Sequence, residues 1–227
     1  TISGELDAAT LDISGDIDVD GTTETDVLTI NGSQFNYKAF GTGSIMIGDT
    51  TTGTIDAANY NVGLGVDVFA ALTSGDNNVA IGTSALFVNT TGSNNTGVGF
   101  NALVANTTGT QNVAVGMTAL AANTTGSANI GIGYLTLDAN TTGDQNVAVG
   151  ENALGANTTA NYNTAIGSSA LLANTTGDEN TSVGAFSMDK NTTGTDNTAL
   201  GYQAMRANTT ASNNVSIGRK SMLVNTT

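Results

Sequence analysis

The chain has 227 residues, 29 of them Gly, with no Cys, His, Pro or Trp, a formal net charge of −14 and only 11% charged residues. So few charges and large apolar side chains exclude a thick globular core, and the missing imidazoles and thiols exclude His-based nucleophilic catalysis, thiolate chemistry and Cys-held metal sites. The five basic residues, Lys38, Lys190, Arg206, Arg219 and Lys220, are isolated or at most paired, whereas nucleic acid and anionic membrane surfaces select clusters, so neither is an expected partner.

In chain order, residues 1–40 come first, as an expected β-shaft or connector. Ile2-Ser3-Gly4 returns as Ile13-Ser14-Gly15, and Leu11, Ile13, Ile17 and Val19 alternate with Asp12, Ser14, Asp16 and Asp18. Val27, Leu28 and Ile30 follow, so the segment reads as short strands with acidic outer faces joined by Gly turns. The stripe Asp12, Asp16, Asp18 and Asp20 has the chemistry for a divalent cation, but a solvated strand face is the simpler reading. The chain opens on Thr1 with no signal-peptide pattern, which reads as an internal piece of a longer protein. No apolar run approaches the roughly 20 residues of a membrane span, so no membrane insertion is expected.

Residues 41–227 form the second region, a repeat. From Gly82, steps of 17 land on Gly99, Gly116, Gly133, Gly150, Gly167, Gly184, Gly201 and Gly218, and backward steps land on Gly65 and Gly48. Periods of this length announce stacked units. Val79 and Ile81, Val113 and Val115, and Val147 and Val149 alternate with Ala80, Ala114 and Ala148, the period of a strand with one buried face. The intervening position is always small (Gly63, Gly97, Gly131, Ser182, Ser216), which predicts the close approach of another surface. Five residues past the marker Gly stands Leu or Met, from Leu86 to Met222, read as a second short strand folded over the first. The marker Gly and the Asn-Thr-Thr-Gly words supply the two corners. Recurrent Gly, paired Thr and the lack of a 3.6 period exclude helix.

The fold expected is therefore all-β, a parallel β-roll or β-solenoid of about ten 17-residue coils. Strands stacked at about 4.8 Å give a rod of roughly 45–50 Å. The column Asn89, Asn106, Asn123, Asn140, Asn157, Asn174, Asn191, Asn208 and Asn225 predicts an amide ladder flanked by Thr ladders. Two β-branched residues, one Leu and a few Ala per coil are a thin return for ordering the whole unit. Packing three rolls along the small-residue face would bury far more, so an intertwined homotrimeric fibre is expected.

Other chemistry finds little support. The repeat carboxylates Asp138, Asp144, Glu151, Asp178, Glu179, Asp189 and Asp196 stand where other copies carry Ser, Thr, Asn or Ala, which reads as variable surface rather than a glycosidase pair. The expectation is no enzyme, no catalytic, metal or cofactor-binding residue, and no cofactor. Asn-Thr-Thr also matches the glycosylation pattern, but stacking leaves no room for a glycan on every coil, so the turn reading is preferred. No fixed Asp slots suggest a calcium repeat, and no flat Thr-x-Thr face suggests ice binding. The position after the marker Gly holds Phe100, Met117, Tyr134, Glu151, Tyr202 and Arg219; outward aromatics suit sugar stacking, although covering a corner or filling a subunit seam is the simpler role.

The words Asn78-Val79-Ala80-Ile81-Gly82, Asn163-Thr164-Ala165-Ile166-Gly167 and Asn197-Thr198-Ala199-Leu200-Gly201-Tyr202-Gln203-Ala204-Met205 resemble repeats in tail-fibre proteins of marine and cyanobacterial phages, as does the segment Leu11 to Ser33. The five-residue word is also similar to the head repeat of trimeric autotransporter adhesins, which form left-handed parallel β-rolls in trimers. The unit here is longer than that head repeat, and Asn-Thr-Thr-Gly is not the adhesin link. The resemblance implies an extracellular, trimeric virion tail fibre, a rigid structural protein contacting other virion proteins and serving host attachment through a cell-surface glycan or protein. A receptor-binding tip or chaperone would then follow residue 227. The alternative is the head region of a bacterial surface adhesin, which a membrane-anchor barrel after residue 227 would mark.

Overall fold

The computed structural model describes residues 28–30, 33–35, 37–39, 44–48 and 58–223. The acidic stripe from Asp12 to Asp20, most of the 1–40 segment and Asn225 lie outside these residues. Fourteen short strands, and no helix, occur among the described residues. β1 (Leu28–Ile30) and β2 (Ser33–Phe35) form an antiparallel pair. β3 (Tyr37–Ala39) runs antiparallel to β4 (Ile45–Gly48) at the edge of the main sheet. From β4 to β14 (Val215–Ile217) each strand pairs in parallel with the next, eleven strands in all.

The register follows the 17-residue spacing: Val79 lies on Thr96, Ala80 on Gly97 and Ile81 on Val98, and Gly48 lies on Gly65 at the start of the roll. The protein is a parallel β-solenoid of about ten coils, as the repeat predicts.

Two expectations about the coil are corrected. The inward residue of each strand is the small one. Ala80, Ala114, Ala148, Ala165 and Ala199 are fully buried, while the β-branched residues on either side point outward. The reason is width. The Leu or Met column fills the interior, and a Cβ added at Gly97 would already stand 3.5 Å from Leu86 Cγ. A Val or Ile in that place would overpack the roll. The small-residue face is thus the inner wall, and cannot be where three rolls meet.

The second correction concerns the Leu segment, which is no strand. Leu86, Leu103, Leu120, Leu137, Leu154, Leu171, Met188 and Met205 all have φ between 47° and 53°, and the residue two before each is left-handed as well. A left-handed Leu costs on the order of 1–2 kcal/mol. Full burial of each side chain offsets that cost, as do rung-to-rung bonds such as Leu86 N–H to Ala102 O at 3.0 Å and Leu120 N–H to Thr136 O at 2.9 Å. The marker glycines have φ of 118–138°, and a Cβ on Gly150 would stand 2.7 Å from the Gly167 carbonyl carbon one coil on. Only Gly fits there.

Candidate interaction surface

Two Asn columns stiffen the interior. In the expected one, Asn123 Nδ2 donates to Asn106 Oδ1 at 2.9 Å and Asn140 Nδ2 to Asn123 Oδ1 at 2.8 Å, and each amide also donates to the carbonyl three residues on. These Asn side chains are fully buried, which favours the turn reading of Asn-Thr-Thr over a glycan acceptor. The Thr column beside them carries its own ladder: Thr107 Oγ1 donates to Thr124 O at 3.0 Å, and the pattern repeats along the roll.

The second Asn column, from Asn61 to Asn214, was not anticipated as a ladder. Its Oδ1 accepts the backbone N–H of the same position one coil on, as Asn78 Oδ1 does from Asn95 at 2.9 Å. Its Nδ2 donates across the coil, as Asn95 Nδ2 does to Gly109 O at 2.8 Å. An unbroken Asn every 17 residues at the strand entry was the available signal.

The repeat carboxylates separate into roles. Asp144 and Asp178 are not free surface. They share a column with Ser93, Ser127, Asn161 and Ser212, where a side-chain oxygen accepts a backbone N–H from the preceding coil: Ser127 to Asp144 Oδ1 and Asn161 to Asp178 Oδ1, both 2.6 Å. Only short side chains bearing an oxygen can take this post. Asp189, nearly buried, pairs with Arg206 Nε at 3.3 Å. Burial pushes the Asp138 carboxyl above its ordinary pKa, against the opposing pull of the Asp138 and Ala139 backbone N–H groups. Glu151, Glu179 and Asp196 are exposed. No group of three or more potential metal ligands occurs among the described residues.

What the strands turn outward is largely apolar. Two rows of side chains run along the sheet, one from each strand's first position and one from its third. The third-position row is apolar in every strand, from Ile47 and Leu64 to Leu200 and Ile217, while the first-position row admits Thr at 96, 164, 181 and 198. Ile132 is 40% exposed and Leu200 46%. The strip continues round the marker-Gly corner, where Val98, Val115 and Ile132 are followed by the exposed Phe100, Met117 and Tyr134. Further along, Phe186 meets Tyr202 edge-on with centroids 6.4 Å apart, and Arg219 lies 5.6 Å from the centre of the Tyr202 ring. A contiguous apolar strip of this length is the mark of an interaction surface. Comparison with family profiles, curated proteins and solved structures finds no match to the chain.

Proposed function

We propose that this chain is a non-enzymatic, rigid segment of an extracellular fibre, built as a homotrimer in which three rolls pack through the outward strand face. The observation that carries this reading is the strip just described: β-branched and Leu side chains repeat on every strand, in register, along the whole roll. A single roll gains little from them, because from Ala80 onward its interior holds one Leu or Met and a few Ala per coil. Side-by-side packing removes them from water, the favourable term that a thin coil otherwise lacks.

The in-register ladders favour a stiff rod, since every coil is tied to the next by amide, hydroxyl and backbone bonds. A phage tail fibre, as the sequence resemblance implies, is the setting proposed for it, with host attachment as the service of the whole fibre. The experiment is mass measurement in solution with circular dichroism on the same sample. The expected result is three chains per particle and a β spectrum without helix; a monomer would overturn the trimer.

A further inference from the structure

Eight Asn-Thr-Thr corners have a fourth residue within the sequence; six carry Gly, and the other two carry Ala, at Ala160 and Ala211. The neighbours of that position leave no space for a methyl group. A Cβ at Gly143 would meet Asn140 Oδ1 at 2.5 Å and the carbonyl of the following coil closer still. By register, the Ala160 methyl is aimed at Asn157 Oδ1 and Gly177 O.

The rung above Ala160 shows the consequence in several independent bonds. Asn174 Nδ2 to Asn157 Oδ1 is 3.3 Å, against 2.7–3.0 Å in the rest of the ladder. Thr158 N–H to Thr175 O is 3.2 Å, against 2.8–3.0 Å in the equivalent rungs, and the second bond made by Thr91, Thr108, Thr125 and Thr142 has no counterpart at Thr159. Asn163 Nδ2 turns to Asn161 O at 3.1 Å, where its equivalents Asn146 and Asn180 reach across to residues 160 and 194 at 2.8 Å. The Ala160 position therefore coincides with a fault in the ladder.

We propose that the contact between coils 157–173 and 174–190 is a built-in opening point, at which the C-terminal coils 174–223 part from the coils before them as one unit. The coils on the two sides also differ in charge. Four of the five basic residues of the chain (Lys190, Arg206, Arg219 and Lys220) lie in 174–223, where they balance Asp178, Glu179, Asp189 and Asp196; coils 58–173 carry Asp67, Asp76, Asp138, Asp144 and Glu151 with no basic residue. The opening is a property of the single roll and does not rest on the trimeric reading. In a fibre it would serve as a compliant joint between two stiff stretches.

The test is native-state hydrogen exchange on the full chain, comparing wild type with Ala160→Gly and with Gly126→Ala. In wild type, the amides bonded across that contact, such as those of Thr158, Thr164, Leu171, Gly184 and Phe186, should share one opening rate, about tenfold or more above that of the equivalent rungs between 75 and 156. Ala160→Gly should slow exchange at Thr158 and at the other amides bonded across that contact. This is opposite to the usual cost of Gly. Gly126→Ala should create a second fast rung at Thr124 and Thr125. Unchanged exchange in Ala160→Gly would overturn the proposal, and that variant decides the matter even where Gly126→Ala fails to fold.

Discussion

The corner side and the strand side of each coil follow different rules. On the corner side, residue identity is set by a bond: Asn in two columns, Thr beside one of them, and a short oxygen-bearing side chain in the column of Ser127 and Asp144. On the strand side, the outward residues are any of Val, Ile, Leu or Thr, and their neighbours in the sheet constrain shape rather than chemistry. The corner side defines the coil. The strand side defines what the coil is packed against.

This contrast can be broken from the corner side with the largest effects. Gly150→Val places a branched side chain against the Gly167 carbonyl at a φ of 122°, and should cost more than about 4 kcal/mol or abolish folding, read by chemical denaturation. Asn123→Leu leaves Asn106 Oδ1 and Asn140 Nδ2 without their ladder partner in a dry interior. About 3 kcal/mol should be lost in the same assay. Asp144→Ala removes the acceptor for the Ser127 N–H at a partly buried site, and about 1 kcal/mol should go.

The smallest effect is a matter of pH. Because burial raises the Asp138 pKa in the folded chain, the native state holds that proton more tightly than the unfolded chain does. Ionised Asp138 therefore destabilises the fold at neutral pH, and the penalty fades as pH falls through the raised value and below the ordinary carboxylate range. Asp138→Asn should melt slightly higher than wild type at neutral pH and converge with it in acid, as paired thermal melts would show.

Much of this contrast is legible in the sequence, for physical reasons that also mark where reading stops. A fixed 17-residue spacing forces in-register stacking, so the solenoid, its parallel sheet and the Asn89-to-Asn208 ladder follow directly. Alternation in Val79-Ala80-Ile81 fixes which residues share a face but not which face is inside; that depends on the width left by the Leu column, a property of the closed coil. The left-handed Leu residues were hidden because Leu ordinarily avoids that region, and the strain is accepted only where burial and rung bonds offset it. Asp144 reads as variable surface because its column changes among Ser, Thr, Asn and Asp, when the site asks only for a near oxygen. The apolar strip was legible as residues, and its placement on the outside was not.

The chain has no Cys, so single thiols can report which faces meet. The deciding measurement compares Ile132→Cys, on the outward strand row, with Thr125→Cys, on the exposed corner away from the strand, after mild oxidation on a non-reducing gel. Packing through the strand face gives linked chains for Ile132→Cys and single chains for Thr125→Cys. Single chains for both, or equal linkage at the two positions, would contradict packing through the strand face.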